Sequence, residues 1–328
     1  MSERHEADPA TPAEGPGSTS GGTGGTAPDG QARERRARDR QAPDRQARAV
    51  RLGGRSAFAL GLVSAVGVVA FGWPLLADSA SGLAHSRDAP WLFAALLPLL
   101  IAVVVATIAD TGLNAKAVAM LGVLAAAGAA LRPLGAGTAG LEPMFFLMVL
   151  AGRVLGPGFG FVLGAVCMFA SALLTGGVGP WMPFQMLSMG WVAMGAGLLP
   201  GADNLRGRGE LALLAVYGAV ASAAYGLVMN LQGWTYIAGL SSGISFVPGD
   251  PVTENLARFT AYWLATSLGW DLPRALLTVV LTLTLGATVL RALRRATRRA
   301  AFDVPDVPGR PDVPDLPGRP DRPAPAAD

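Results

Sequence analysis

The stretch LAGRVLGPGFGFVLGA, residues 150–165, places a Gly-Pro-Gly turn between two apolar segments and thereby decides how the chain folds. Its glycines raise the question of a phosphate-binding loop, but no predicted strand precedes them and no Gly-Lys-Ser/Thr follows. We therefore interpret the stretch as a tight turn between two membrane-spanning helices. Arg153 then meets lipid headgroups or a protein partner rather than a phosphate ester.

Outward from this turn the chain remains strongly apolar. Hydrophobic residues make up 51% and charged residues 15% of its 328 residues, with a mean hydropathy of +0.41. Several apolar runs are longer than the core of a soluble domain requires. The sequence therefore predicts an all-α polytopic membrane protein.

Apolar windows of the length that crosses a bilayer, about 20 residues, predict eight spans. They lie near 55 to 76, 91 to 109, 115 to 132, 143 to 155, 158 to 175, 183 to 200, 211 to 237 and 273 to 293. The fourth is short, and it crosses where the bilayer thins or where Arg153 extends to a surface. The segment 255–270 is too short and polar to cross, so we expect a helix that lies over the outer face.

The two ends of the chain are predicted to be disordered cytoplasmic tails. Residues 1–54 are rich in Gly, Ser, Pro, Ala and Arg, and residues 296–328 repeat a Pro/Asp/Arg unit. Segments with so few large apolar groups do not bury enough surface to offset the entropy of folding. Asp and Glu interrupt the arginines of the first tail, so we expect no nucleic-acid partner and interpret it as a cytoplasmic retention signal.

Arginine density orients the predicted spans. RQARAVRLGGR precedes the first span and RALRRATRR follows the last, and the positive-inside rule places such segments in the cytoplasm. Both termini are therefore predicted to be cytoplasmic, in a multi-pass protein of the cell membrane. The connections RPLGAGTAGLEP, GGVGPWMPFQM and 238–272 then face the extracytoplasmic side.

Groups that catalyse reactions or couple transport to ions are sparse in the predicted spans. His5 and His85 lie outside the apolar runs, and Cys167, the single cysteine, is interpreted as a small core residue. Ionisable residues are instead found at predicted span ends: Asp110, Lys116, Arg132, Glu142, Arg153 and Arg274. An ion-coupled carrier is therefore disfavoured, and we expect no enzyme activity, no metal site and no cofactor bound by this chain.

Small residues recur at helical spacing in AKAVAMLGVLAAAGAAL. The positions that form this small-residue stripe are Ala115, Ala119, Gly122 and Ala126. Such a stripe lets two helices approach closely in lipid. The pattern alone leaves two interpretations open, internal packing in an alanine-rich chain and docking of a partner helix.

Polar and aromatic side chains gather in the predicted outer connections and form the candidate substrate site. Its members are Glu142, Trp181, Phe184, Gln185, Asn230, Gln232 and Trp234. In GGVGPWMPFQM, Gly179 and Pro180 are expected to end one helix and Pro183 to begin the next, while the amide of Gln185 points toward a ligand. An interfacial aromatic belt is the alternative, and it accounts for Trp181 and the prolines but not for Gln185.

The region 115 to 293 resembles the substrate-binding S component of energy-coupling factor (ECF) transporters, most of all an actinobacterial branch related to cobalamin-type S components. The resemblance is carried above all by LAGRVLGPGFGFVLGA and GPWMPFQM. It implies a six-helix core within 111–295, with both ends in the cytoplasm. Two additional transmembrane helices in 55–110 then precede the core and have no place in the minimal fold of the family.

The resemblance also implies a function, that of the binding subunit of an ATP-driven importer. Such a subunit captures a vitamin or related micronutrient outside the cell, with cobalamin as the first expectation, and topples in the bilayer to carry its site inward. Its partners are a transmembrane coupling subunit and two cytoplasmic ATPases, which use the ATP. The small-residue stripe matches the family's helix that meets the coupling subunit, so docking becomes its favoured interpretation. The alternatives are a membrane scaffold or assembly protein, or a membrane enzyme that lacks a recognisable motif.

Overall fold

A computed structural model of the chain describes residues 54–76, 96–110, 115–135, 140–201, 204–237 and 243–301. All regular secondary structure in these residues is helical, which confirms the all-α prediction. The helices are α1 (Gly54–Leu76), α2 (Leu96–Asp110), α3 (Ala115–Leu131), α4 (Met144–Leu155), α5 (Pro157–Thr175), α6 (Met182–Leu198), α7 (Arg208–Trp234), α8 (Val252–Thr266), α9 (Leu268–Thr284) and α10 (Gly286–Ala301), with a 3-10 turn at Pro133–Gly135. Residues 1–53 and 302–328, which hold most of the predicted tails, lie outside the described residues.

The described helices differ in their capacity to cross a bilayer unaided. Helices α1, α3, α5 and α7 are long and apolar enough, and α8 with α9 forms a pair bent by 64° that makes a fifth crossing when counted as one. Helix α4 has 12 residues, as short as its apolar window predicts, and α6 has 17. The structure thus contains fewer self-sufficient spans than the eight windows, because several helices depend on their neighbours for burial.

The turn at the centre of the opening stretch is as tight as expected. Gly156 alone separates α4 from α5, with φ 93° and ψ 169°, and its amide donates to the carbonyl of Gly152 at 3.0 Å. A positive φ of this kind is open to glycine at little cost. Pro157 follows as the first residue of α5, where its missing N–H costs nothing.

Helices α4, α5 and α6 pack with their backbones in near contact. A Cβ built on Gly160 would lie 2.7 Å from the Ala193 carbonyl oxygen, and one on Gly152 would collide with the same oxygen. The glycines of LAGRVLGPGFG therefore let α6 lie directly against the α4–α5 hairpin, a small-residue contact typical of helices in membranes. Cys167 is fully buried in this core, as predicted.

Side-chain bonds show that successive core helices run in alternating directions. Arg153, near the end of α4, donates to the carbonyls of Leu199 and Pro200 just past the end of α6, at 2.8 and 3.1 Å. Arg132, just past α3, donates to Ser171 near the end of α5 at 3.4 Å. The bundle therefore has two ends, which we call the Arg153 end and the Arg274 end after their buried arginines.

The two helices that precede the core pack closely on it. Trp191 of α6 donates its Nε1–H to Ser64 of α1 at 2.9 Å. The Phe71 ring of α1 meets the Phe184 ring edge-on, with centroids 4.9 Å apart. Helices α1 and α2 therefore share one hydrophobic core with the helices that follow them. That these two helices are an addition to a six-helix core stays a prediction.

Several helix boundaries differ from the sequence-based expectation. The predicted span 273 to 293 is divided between α9 and α10 at Leu285, and α10 continues to Ala301, past the predicted start of the tail at residue 296. Helix α5 ends at Thr175 rather than at Gly179 and Pro180, because Gly176 adopts a left-handed conformation with φ 67° and Gly177 N–H caps the carbonyl of Ala172 at 2.9 Å. The segment 255–270 is divided between α8 and α9, and the break falls at Ser267. Pro183 lies in the first turn of α6, as expected.

Candidate functional site

A polar cavity of about 340 Å³ lies at the Arg274 end, between α7, α8 and the first turns of α9. It is lined by Tyr225, Gly226, Met229, Asn230, Tyr262, Thr266, Ser267, Trp270, Asp271 and Arg274. Its volume falls within the range of small-molecule sites, about 300 to 1,000 Å³. We therefore take it as the candidate substrate site.

The bend between α8 and α9 creates this cavity. Ser267, the residue at the bend, is buried, and its hydroxyl accepts a hydrogen bond from the Asn230 amide of α7. Gly226, one turn earlier on α7, lies directly against the Asp271 carboxylate, and any Cβ at this position would collide with it. The absence of a side chain at Gly226 thus permits the close approach of α9.

Arg274 is the buried cation of the site, and it is shared by two carboxylates. Its Nη1 donates to Asp271 Oδ1 at 2.7 Å and its Nε to Glu142 Oε2 at 3.2 Å. Asp271 also accepts the Trp263 Nε1–H at 3.2 Å. Buried ions are tolerated only where partners of this kind compensate for lost hydration. The cluster thereby joins α9 to the segment that leads into α4.

Aromatic rings complete the support of Arg274. Its guanidinium lies 5.2 Å from the ring centroid of Phe145 and 5.4 Å from that of Tyr225. Both rings are buried, and they meet edge-on at 5.0 Å. Cation–π contacts are strongest when water is excluded. Arg274 is consequently held in one position beside the cavity.

Two of the seven predicted site residues belong to this region. Asn230 lines the cavity, and its Nδ2 donates to the Gly226 carbonyl at 2.8 Å. Glu142 is not a lining residue, but it forms an ion pair with Arg274, which is one. Within the described residues, the Oδ1 of Asn230 accepts no hydrogen bond, so this oxygen is available to a ligand.

Trp234 and Gln232 are both buried near the end of α7 but do not line the cavity. Trp234 donates its Nε1–H to the Ile244 carbonyl at 2.7 Å and packs against Phe259 and Tyr262. Because Tyr262 is a lining residue, Trp234 supports one wall of the cavity from behind.

The turn GGVGPWMPFQM lies at the Arg274 end, yet its predicted site residues are outside the cavity lining. Trp181 is 44% exposed and donates its Nε1–H to the Gly177 carbonyl at 3.2 Å. Phe184 is fully buried against Phe71 of α1. Gln185 is half-buried, and its Oε1 has no hydrogen-bond partner among the described residues.

Asp271 is not among the residues that the sequence predicts for the site, and Arg274 is predicted only as a charge at a span end. Their spacing in DLPR held a usable signal, since oppositely charged residues three apart on a helix lie on one face. Two such charges at the start of an apolar helix predict a buried pair. The link from Arg274 to Glu142 spans 132 positions and has no such local signature.

A second ion cluster lies at the Arg153 end and has the opposite composition. Glu210 Oε1 accepts from Arg153 Nε at 3.1 Å and from Arg294 Nη2 at 2.6 Å, so one carboxylate is shared by two arginines. The side chains of Glu210 and Arg153 are each 1% exposed. This cluster joins α4, α7 and α10.

The small-residue stripe is exposed on α3. Ala115, Ala119, Gly122 and Ala126 all face outward. The opposite face, which includes Ala117, Leu121 and Ala125, is buried in the bundle. The stripe is therefore not used for packing within the described chain and is open to another helix.

Fold and site together define a polytopic helical membrane protein with a solute-sized polar cavity at one end of its bundle. The family model for the substrate-specific component of ECF transporters matches residues 116–286, more than half of the chain. The chain belongs to this family. Searches of curated proteins and of solved structures gave no match. Among the described residues, no three His, Cys, Asp or Glu side chains come together as for a metal ion.

Proposed function

We propose that this chain captures a vitamin or related micronutrient outside the cell and delivers it into an ATP-driven importer. The observation that carries the proposal is the polar cavity at the Arg274 end of a chain from the substrate-specific family. A membrane scaffold has no need of such a cavity, which is why importer function is favoured over the scaffold alternative.

The Arg274 end is proposed to face the extracytoplasmic side. At the opposite end α10 carries Arg291, Arg295 and Arg298 exposed on one stripe, and Arg206 and Arg208 are exposed near the start of α7. Positively charged segments beside spans are retained in the cytoplasm. This distribution agrees with the orientation that the flanking arginines predict, with both termini cytoplasmic.

The partners are proposed to be a transmembrane coupling subunit and two cytoplasmic ATPases. The exposed small-residue stripe on α3 supports this, because close helix contact in lipid depends on small side chains. ATP is used by the ATPases, and the present chain contributes recognition alone.

Cobalamin remains the substrate that the resemblance implies, but the size of the cavity weighs against it. The volume of about 340 Å³ lies at the small end of the range for ligand pockets, about 300 to 1,000 Å³. A ligand with one or two rings fits such a space better than a corrinoid does. We therefore propose that a small heterocyclic micronutrient is the substrate.

Binding is tested by the thermal stability of the purified full-length protein against a panel of vitamins and their precursors. A ligand that binds only the folded state stabilises it by about 2.7 kcal/mol at a hundredfold excess over Kd. A concentration-dependent rise in the midpoint with one compound supports the proposal. No shift across the panel, with folded protein, favours the scaffold alternative.

Docking is tested by replacing two small residues of the stripe with larger ones. Ala119→Leu with Gly122→Leu should abolish uptake in vesicles that contain the coupling subunit and ATPases, because bulky side chains separate the helices. Ligand binding should be unchanged, since the stripe and the cavity lie on different helices. Ala127→Leu, at an exposed position off the stripe, is the matched control. Equal uptake by both variants contradicts docking at this face.

A further inference from the structure

We propose that the cavity at the Arg274 end selects organic cations, such as a protonated amine or a positively charged heterocycle. The inference rests on the proposed function for the cavity's role as a substrate site. It adds the chemical class of the substrate, which neither the family nor the fold specifies.

The ion pairs of Arg274 favour a cationic ligand over an anionic one. Asp271 and Glu142 share Arg274, so this arginine already has two carboxylate partners, and it lines the cavity together with Asp271. Asp271 and Arg274 are 3% and 6% exposed. Buried ions of this kind depend on charged and polar partners for their stability. A cationic ligand meets the Asp271 carboxylate in the lining, whereas an anionic ligand brings a third negative group to one arginine.

Two neighbouring arginines lie outside the cavity lining. Arg132 donates to Ser171 of α5 and is not a lining residue. Arg258 is paired with both Asp250 and Glu254, also outside the lining. Arg274 is thus the single basic residue among those that line the cavity.

The cavity lining also offers hydrogen-bond acceptors. An ionised carboxylate accepts about four hydrogen bonds, and Asp271 receives one from Arg274 and one from Trp263. The Asn230 Oδ1 on the facing helix accepts none among the described residues. These oxygens fit a ligand that donates several N–H bonds from one charged group.

Aromatic side chains form part of the cavity lining. Tyr225, Tyr262 and Trp270 line the cavity. Trp270 is 50% exposed, and its ring makes no contact with another ring within the described residues. Aromatic faces attract cations and bind them in many recognition sites. Carboxylate, amide oxygen and indole together form a site for a positive group on a flat, partly apolar molecule.

Three probes of one size isolate the charge: benzylammonium, benzyl alcohol and benzoate. Their affinities for the full-length protein in detergent at pH 7 are measured by calorimetry and thermal shift. We expect benzylammonium to bind most tightly. Asp271→Asn should lower the affinity for benzylammonium by at least about tenfold, as expected for loss of a buried charge partner. The affinity for benzyl alcohol should change little.

Two further variants guard against misfolding and unspecific effects. Trp270→Ala, at a half-exposed position, should weaken benzylammonium binding about threefold through loss of the cation–π contact. Glu254→Gln, in an exposed ion pair outside the cavity, should change none of the three affinities. A weakening in Trp270→Ala that is equal for all three probes contradicts a role for charge.

Failure of this inference can be told apart from failure of the proposed function. Equal binding of the three probes, tighter binding of benzoate or no binding of benzylammonium overturns the cation preference. Uptake driven by the ATPase module is measured separately. A protein that imports a neutral or anionic vitamin retains the proposed function and loses this inference, and a protein with neither binding nor uptake loses both.

Discussion

At the Arg274 end two carboxylates share one arginine, whereas at the Arg153 end two arginines share one carboxylate. The first cluster adjoins a cavity, and the second is enclosed by protein. Arg153 also donates to the carbonyls of Leu199 and Pro200, so its charge is spread into the backbone of the α6–α7 connection. The comparison teaches that a buried charge joins helices when protein encloses it, and is open to recognition when it borders a cavity.

The largest expected effect comes from removing the shared carboxylate of the enclosed cluster. Glu210→Gln leaves two guanidiniums without a counter-charge and should lower the free energy of unfolding by about 3 to 5 kcal/mol. Glu142→Gln should cost about 1 kcal/mol or less, since Glu142 is partly exposed and Arg274 keeps Asp271. Thermal midpoints in detergent measure both. Equal losses would erase the distinction between the two ends.

The next effect tests the contact between α7 and α9. Gly226→Ala places a Cβ against the Asp271 carboxylate, so it should destabilise the protein by about 1 to 3 kcal/mol and weaken ligand binding. Gly233→Ala on the same helix meets nothing within 4 Å and should leave stability unchanged or raise it by up to about 1 kcal/mol. Unchanged ligand affinity in Gly226→Ala would indicate that Asp271 does not take part in ligand binding.

The smallest effect compares two amides at the same end of the bundle. Asn230→Ala removes a lining group and should weaken the substrate about fivefold, the worth of one neutral hydrogen bond. Gln185→Ala and Trp181→Ala should change affinity less, because neither residue lines the cavity. The affinity of each variant is measured by titration with the compound of the vitamin panel that stabilises the protein. A larger loss in Gln185→Ala would return the turn GGVGPWMPFQM to the site, as the sequence predicted.

The helical architecture could be predicted because apolar windows and glycine turns are local properties. The Gly156–Pro157 turn and the short α4 follow from adjacent residues and the length of a bilayer. The predicted end of α5 lies a few residues beyond the observed one, because Gly176 and Gly179 are equally good helix terminators in sequence. The cap on the Ala172 carbonyl decides between them, and it exists only in the folded chain.

The site was predicted less completely because its partners are distant in sequence. Asn230 could be chosen as an amide near a span end, but the value of Arg274 depends on Glu142, far away in the chain. The position of Phe184 beside an interface predicts a site residue, but tertiary packing turns its ring toward Phe71 of α1. Sequence patterns identify which residues are unusual in a membrane, whereas the choice between core and cavity is made by tertiary contacts.

The burial of Cys167 makes this chain convenient for following motion. Because the single thiol is fully enclosed, a cysteine introduced at an exposed position becomes the one site that reacts with a spin label or fluorophore. Val178 at the cavity end and Arg206 at the opposite end are both exposed. Labels at these positions would report the depth of each end in the bilayer, and a reorientation of the whole body during transport would exchange their environments.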